Sequence, residues 1–558
     1  MSQRPETVRR ASQTSYDVCV IGGGASGAGC ALDARLRNLK TLLLEAGDFG
    51  SATSSASTKL IHGGLRYLQQ AVTDFDAGQY HVVRVALRER RLMMANAPHL
   101  TRAMRFAVPC YGPFGTVYNL IGLKAYDWLS GKARMASSSF MGMDATRVHM
   151  PWLKTDRMWG TVIFSDGQFD DSRYNLALVQ SCAAAGGDVL NYARVTAFHK
   201  DERGRITGAQ VMDEETRQSF RVNAAVFVNA TGVFSDHLRA LGDAAAKKRL
   251  RPSKGVHIVL PLPADFGADA LLIPATEDGR IIFAVPWMGR LLVGTTETEA
   301  GPADEMMVTK EEAEYLLRHL NHYLLKPFQA SDIRAGIAGL RPLIQSGDSR
   351  ATRKLIRDYE IELQPGSGLV SVLGGKWTVY RAMAEDAINA AEKLLHNRIT
   401  SCRTREYRLF GSEAEAPDLK SWAISAETAR HLVGKFGSHA PDVLSLTTAD
   451  PSLLTPLVAG VPQIRAEVVY CVRQEMARTV EDVLSRRLGL QVFDWNLAMQ
   501  AAPVVAEILA RELGWSTTGA TEEADGYVAR IAGMRQILTE PEPAASFPAG
   551  PRSVSSRS

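Results

Sequence analysis

Cysteine is scarce and scattered in this 558-residue chain: six residues, none in a C-x-x-C pair. That excludes a disulfide framework and a cysteine zinc site, and it fits a reducing compartment. Long apolar runs are missing too. No stretch reaches the roughly 18 residues a bilayer-spanning helix needs, so any meeting with a membrane is at its surface. The N-terminus, MSQRPETVRRASQTSYD, has no apolar signal-peptide core, and Glu6 argues against reading its arginines as a transit peptide. Net charge is only +4, too little to argue for nucleic acid. A pI near 8.6 is compatible with an anionic substrate or an anionic membrane surface. The histidines show no H-x-x-x-H spacing, and no metal is implied. There are no internal repeats. What is present is ordinary globular composition, 46% hydrophobic and 22% charged, in a chain long enough for more than one core.

YDVCVIGG (16–23) reads as a buried strand, 28–40 as a helix and TLLLEAG (41–47) as a second strand, which makes a βαβ unit. Residues 83–105 alternate basic and apolar at helical spacing. A helix is expected over 172–185 and a strand meander over 188–230. LRPSKGVHIVLPL and RIIFAVPWMGRLLVGTTET read as strands of a second sheet, and 311–324 as an amphipathic helix. Beyond about residue 400 the pattern turns helical. RAEVVYCVRQEMARTVEDVLSRRL reads there as one long amphipathic segment, and the Pro/Ser-rich end as disordered.

Gly22-x-Gly24-x-x-Gly27 follows the first strand and opens the first helix, with Ala25 and Ser26 inside the turn. Glycines there permit a tight turn and close approach of backbone to a pyrophosphate, and the helix N-terminus supplies N–H groups. Glu45, with Ala46 beside it, ends the next strand, where an acid accepts hydrogen bonds from a ribose. The motif alone does not separate FAD from NAD. Two later glycine turns do: VFVNATG (226–232), ending in Ala230-Thr231-Gly232, and LVSVLGGKWTVYR (369–381), with Gly374-Gly375. A single dissociable nicotinamide site would not need them, whereas an extended FAD held by a discontinuous domain would.

The pieces IGGGASGAG, LLLEAGDFGSATSSASTKLIHGGLRYL, APHLTRAMRFAVP, FDDSRYNLAL, VNATGVFSD, SKGVHIVLP, VGTTET, GLRPL, IRDYEI, LGGKWTVYR and RTVEDVLSRR occur in order. With them the chain resembles the FAD-dependent, aerobic respiratory glycerol-3-phosphate dehydrogenase family over most of its length. The resemblance implies non-covalent FAD, lined by Ser54, Ser55, Thr58 and Lys59 and, in the GGKWT turn, by Lys376 and Thr378. His62 is then a packing or hydrogen-bonding residue, not a covalent anchor. It places Arg66 and Tyr67 on the substrate phosphate, joined by Arg341, Arg357 and Lys376. A guanidinium matches phosphate oxygens bidentately, and a phosphorylated polyol has little apolar area to bury. His257, in KGVHIVLP, is the candidate base for the C2 hydroxyl, because histidine titrates near working pH. The alternative is a strand histidine satisfied in the core. Arg341, always protonated, is the electrostatic partner of the developing alkoxide, and Thr295 is placed to hydrogen-bond the substrate. Glu297 stands where the family usually has Asp, which weakens assignments in that loop.

The expected reaction is oxidation of sn-glycerol 3-phosphate to dihydroxyacetone phosphate, with hydride passing from C2 to flavin N5. The resemblance implies a ubiquinone-type acceptor, peripheral attachment to the inner face of the cytoplasmic membrane, and room for a homodimer; nucleic acid is not expected. Residues 102–134 mix basic, aromatic and aliphatic residues, and two readings stay open: a headgroup-level surface or a subdomain over the site. The related glycerol-3-phosphate oxidase carries an insertion between the GLRPL and GGK elements, but Lys376 follows Arg341 by only 35 positions. An amino-acid oxidase on the same FAD scaffold would want a single carboxylate-binding arginine, which the several candidate phosphate cations argue against. A flavin-binding scaffold or sensor without turnover would hold FAD tightly yet show no reduction by substrate. The expected fold class is α/β with α+β. A Rossmann-like FAD domain of the two-dinucleotide-binding-domain type takes 16–85, 160–250 and 335–395. A mixed or antiparallel substrate domain takes 86–159 and 251–334, and a helical C-terminal domain 400–536. Residues 1–15 and 537–558 are expected to be disordered.

Overall fold

A computed structural model of the chain describes residues 4–64, 77–131, 135–274, 276–302, 304, 306–345, 359–396 and 398–539. The first sheet contains β1 (Ser15–Ile21), β2 (Thr41–Leu44), β7 (Asp188–Leu190), β8 (Ala193–Lys200), β9 (Ile206–Asp213), β10 (Ser219–Asn229), β17 (Tyr359–Leu363) and β18 (Val370–Gly374). Its order is β17-β18-β10-β1-β2-β7, with β9 and β8 continuing antiparallel from β10. From β18 to β7 the pairs are parallel, as βαβ crossovers require. Val18, Val20 and Leu43 enter one core while Cys19, Ile21, Leu42 and Leu44 enter the core on the other side. Strands buried on both faces read as continuous apolar runs, which is why YDVCVI and TLLL were legible as strands. The helix Ala25–Leu36 covers one face. Its Gly29 lies against Tyr380, where a Cβ would sit 2.9 Å from the ring, so helix Tyr380–His396 approaches closely.

The second sheet contains β3 (Leu60–Ile61), β4 (Thr101–Cys110), β5 (Ser139–Gly142), β6 (Gly160–Phe169), β11 (Ser253–Pro261), β12 (Ala270–Ile273), β13 (Ile282–Trp287), β14 (Arg290–Gly294), β15 (Thr298–Glu299) and β16 (Ala335–Arg341). Its order is β15-β11-β14-β13-β12-β4-β6-β3, mostly antiparallel, with β16 also on β11 and β5 on β6. The mixed sheet agrees with the expected fold class. Membership differs from the sequence reading: β6 and β16, assigned to the nucleotide domain, pair into this sheet, β6 along all of β4 and β16 along β11. A strand's own pattern shows that it is buried, not which sheet it joins.

Three local expectations also change. Residues 4–13, expected disordered, form a helix, two of whose three arginines are held in ion pairs: Arg4 with Asp213 at 2.9 Å and Arg10 with Asp188 at 2.7 Å. The helical spacing of 83–105 holds only through the helix Ala77–Asn96; 101–105 belong to β4. The segment 465–488 is not one helix. Arg465–Glu475 ends at Met476, whose φ of 55° is left-handed, and the chain resumes helically at Asp482. A helix Thr517–Thr539 closes the described chain, so 540–558 of the expected tail lie outside the described residues.

The C-terminal helices pack on the face of the second sheet that carries Val256 and Ile258, forming one continuous core with it. They also reach the nucleotide half. Arg487 and Arg486 donate to Asp48, just past Glu45, at 2.8 and 2.5 Å, and Arg173 pairs with Glu475 at 2.8 Å. All of these groups are buried.

Candidate active site

At the nucleotide end, Gly22 has φ 110°, and a Cβ there would lie 2.5 Å from the Ala230 carbonyl oxygen. The first and second glycine turns therefore touch, and Ala230 N–H donates to Ile21 O at 2.8 Å. A Cβ on Gly27 would lie 1.7 Å from Gly22 O. The helix beginning at Ala25 has no side-chain cap from Gly24, but Ala25 N–H donates to the Ser54 hydroxyl at 2.9 Å. Ser26 is half-buried in the same turn. Glu45 accepts from Gly23 N at 2.6 Å and Gly47 N at 2.8 Å, with Ala46 between. Burial pushes its carboxyl up against those two N–H groups. Thr231 donates to Asn229 at 2.7 Å, and Gly232 takes φ 57° with open space around it. Gly374 and Gly375 have φ 71° and 89°. Glycine at these turns, a helix N-terminus that Gly24 does not cap and a half-buried acid at the ribose position form a set that fits a dinucleotide.

The loop after β2 joins this end to the second sheet. Thr53 donates to Leu340 O at 2.6 Å, and Ala56 packs on Gly339. Trp377 Nε1 donates to Ser54 O at 2.8 Å, and Thr378 to His62 O at 3.2 Å. Lys59 is 1% exposed; its ammonium donates to Asp171 and, at 2.8 Å, to Ser55 O. Asp171 also takes the Ser57 hydroxyl at 2.7 Å, so one carboxylate holds the loop. Lys376 is half-buried at the start of the short helical turn Trp377–Val379.

On the second sheet, side-chain alternation puts Gly255 and His257 on the face opposite Val256 and Ile258. Arg341 joins that face from β16, paired across from Ser253. Glycines make the room: a Cβ on Gly255 would sit 2.3 Å from the Arg341 guanidinium, and one on Gly294 would sit 2.1 Å from the His257 ring. Arg341 Nη2 donates to Thr295 Oγ1 at 2.9 Å and Thr296 O at 3.1 Å. His257 is 3% exposed; Nε2 is 2.9 Å from Thr58 Oγ1, and Nδ1 has no hydrogen-bond partner. Burial, then the Arg341 charge, then that of Lys59, drive the imidazole down to about 3. The ring is therefore held neutral beside a permanent cation and does not titrate near working pH, contrary to the expectation from sequence; burial is the first cause.

The structure thus gathers His257, Arg341, Thr295 and Thr58 at one sheet face, and connects Ser54, Ser55 and Lys59 to the glycine turns. Arg66, Tyr67 and Arg357 lie outside the described residues. Sequence reasoning placed Thr58 on the cofactor and missed it as the partner of His257. Nothing in a chain separation of 199 positions signals that contact. Asp171 was missed as well, although it stands in the FDDSRYNLAL piece at the start of helix Asp171–Ala184.

A family model described as FAD dependent oxidoreductase matches residues 17–381, and one described as the C-terminal domain of alpha-glycerophosphate oxidase matches 402–520. The mitochondrial glycerol-3-phosphate dehydrogenase of Rattus norvegicus is 36% identical, covering 94% of this chain and 74% of that protein. The structure of the glycerol-3-phosphate dehydrogenase from Bacillus halodurans complexed with FAD superposes with a TM-score of 0.76 at 28% identity, covering 97% of this chain and 98% of that one. The L-alpha-glycerophosphate oxidase of Mycoplasma pneumoniae shares the fold, with a TM-score of 0.53 at 17% identity over 71% of this chain and 98% of that one. The chain is an FAD-dependent oxidoreductase. Within that class it belongs to the glycerol-3-phosphate dehydrogenase family.

A first prediction arises at the glycine turns. Gly27→Ala places a methyl group against the Gly22 carbonyl and must open the turn. The variant is expected to purify with little flavin, read as the ratio of absorbance near 450 nm to that of protein. Full flavin occupancy would remove Gly27 from the cofactor turn.

Proposed function

We propose that the chain oxidises sn-glycerol 3-phosphate to dihydroxyacetone phosphate and passes the electrons to a membrane quinone. The observation that carries this is the sheet face where a neutral, buried His257 stands beside the Arg341 guanidinium, in a chain of this family. FAD, when bound, accepts the hydride from C2. Thr58 takes the Nε2 hydrogen bond of His257, which leaves Nδ1 to receive the hydroxyl proton. Arg341, fixed by Thr295 and Thr296, stabilises negative charge on the C2 oxygen as that proton leaves. Arg66, Arg357 and Lys376 supply the charge for the phosphate dianion, and Tyr67 adds a hydroxyl donor.

Thr58→Val removes the hydroxyl while nearly keeping the shape. Flavin reduction by substrate is expected to slow by about tenfold to a hundredfold, less than the roughly hundredfold to ten-thousandfold of losing a general base outright. Thr58→Ser should restore it, with flavin content equal in all three proteins. Thr58→Val should add little in a His257→Ala background, since both changes remove the same function. Full additivity would separate Thr58 from the base.

The pH dependence follows from the low pKa of His257. In the free protein the base is already unprotonated from pH 5 to 9, so flavin reduction should show no histidine inflection there. For stability the sign is opposite to that of a stabilised cation. The unfolded chain takes a proton near pH 6.5 that the folded site refuses, so this contribution is present above that pH and is lost as pH falls toward 3. A rate inflection near 6.5 that disappears in His257→Ala would contradict the buried, neutral assignment.

The acceptor is tested by turnover with a short-chain quinone against turnover with oxygen alone. Rapid quinone reduction with slow peroxide formation supports the dehydrogenase; peroxide at the full turnover rate would make it an oxidase.

A further inference from the structure

Thr58, the partner of His257, stands beside a residue in an unusual conformation. Lys59 has φ 61°, the left-handed region that glycine favours and lysine seldom enters. Such backbone persists only where its surroundings over-determine it. Here they do. Lys59 N–H donates to the Ser57 hydroxyl at 3.0 Å, and Lys59 O accepts from Phe169 N–H at 3.0 Å. The Lys59 ammonium turns back over its own loop to Ser55 O at 2.8 Å and to Asp171.

Asp171 is where these bonds meet. Its buried carboxylate takes the Lys59 ammonium, Ser57 N–H at 3.0 Å, the Ser57 hydroxyl at 2.7 Å, and Ser172 N–H at 2.7 Å with the Ser172 hydroxyl at 3.3 Å. It is not needed as the helix cap. Asp170, one residue earlier, fills that place by accepting from Arg173 N–H at 3.1 Å, and it pairs with Lys435 at 2.6 Å. Asp171 instead grips Ser57 and Lys59, the two residues that flank Thr58. Charge-assisted bonds are the strong ones, and a carboxylate that takes several donors fixes their mutual geometry. Held on both sides, Thr58 brings Oγ1 to 2.9 Å from His257 Nε2. Lys59 also acts through space: its charge, after burial and Arg341, helps to keep the imidazole neutral.

We propose that Asp171 is a positioning residue for the oxidation: through Ser57 and Lys59 it fixes the Thr58 hydroxyl on His257 Nε2 and so keeps Nδ1 as the nitrogen that receives the substrate proton. It rests on the reading of His257 as the base, and it adds the group that holds that base in its working orientation. Asp171 acts through its two neighbours rather than on the imidazole itself.

The test is anaerobic rapid mixing of the full, flavin-loaded chain with sn-glycerol 3-phosphate. Asp171→Asn keeps the shape but sets an amide where the ammonium needs a negative charge. Reduction per bound flavin at saturating substrate should slow by about tenfold to a hundredfold, the cost of a misplaced catalytic group. KM should stay near the parental value, because the phosphate cations are untouched. Thr58→Val should add little in the Asp171→Asn background, since both act on one hydrogen bond. Should Asp171→Asn fail to fold, Asp171→Asn with Lys59→Gln removes both buried charges together and carries the same expectation. A purely structural carboxylate would give a different result: lower flavin content or thermal midpoint, with parental reduction per bound flavin. That result, or full additivity with Thr58→Val, would overturn the positioning role. If Thr58→Val alone is slow, the reading of His257 survives that loss. Parental reduction in Thr58→Val would overturn that reading and the role of Asp171 with it.

Discussion

Arg341→Ala is expected to lower kcat/KM for sn-glycerol 3-phosphate by about two to three orders of magnitude, the usual cost of removing one preorganised stabiliser of an oxyanion. Flavin should remain bound at the parental level, because among the described residues the guanidinium bonds Thr295 and Thr296, just past β14, and Lys254 O on β11. The loss should fall on both kcat and KM if Arg341 holds the substrate as well as the developing charge. Arg341→Lys should recover little. An ammonium carries the charge but lacks the fork whose Nη2 holds the Thr295 hydroxyl and the Thr296 carbonyl while Nη1 reaches Lys254 O. Anaerobic rapid mixing reads the reduction step directly. Parental kinetics in Arg341→Ala would remove the residue from the site.

The second large effect lies outside the site. Asp48→Ala strips a buried carboxylate from Arg486 and Arg487, both nearly inaccessible to water. Burial alone would raise the Asp48 carboxyl, but the two guanidinium groups hold it below the usual carboxylate range. Breaking a buried pair typically costs about 3–5 kcal/mol; here Arg486 keeps Asp482, while Arg487 is left with the backbone carbonyls of Asp482 and Glu475. The position matters as much as the energy. Asp48 follows Glu45 on the loop that leads to Thr53 and Ser54, so the helical domain fastens the cofactor loop from outside. Asp48→Ala is expected to lower the midpoint of thermal unfolding and to release flavin before the rest of the chain unfolds. Asp48→Asn should do the same, since it keeps the shape and discards the charge. An unchanged midpoint in both variants would mean that the C-terminal helices do not stabilise that loop.

How much of this was legible in sequence depends on chain distance. The βαβ unit, the glycine turns and the acid at the end of β2 were readable because each is local: a two-sided apolar strand, a tight turn, a helix start. The neighbouring of Gly22 and Ala230 was not readable, because it depends on the pairing of β1 with β10, about two hundred positions away. The sheet membership of β6 and β16 was not readable, because pairing with β4 and β11 is decided far along the chain. The N-terminal helix was missed because RPETVRRASQ carries no strong apolar stripe, and distant acids at 188 and 213 fix it. The break at Met476 was missed because neither Gly nor Pro marks it. His257 and Arg341 were singled out by motif and lie on one sheet face, while Thr58 and Thr296 were not singled out as their partners. Those partners act through contacts that fold two distant segments onto one sheet face.

The most direct test of the central claim is anaerobic. The purified yellow protein is mixed with sn-glycerol 3-phosphate in excess, and the flavin absorbance near 450 nm is followed. The account predicts full bleaching within the turnover time, none with the opposite stereoisomer, and recovery of the colour when a quinone analogue is added. Persistent colour with the correct stereoisomer, in protein that retains its flavin, would contradict the assigned substrate and with it the roles given to His257 and Arg341.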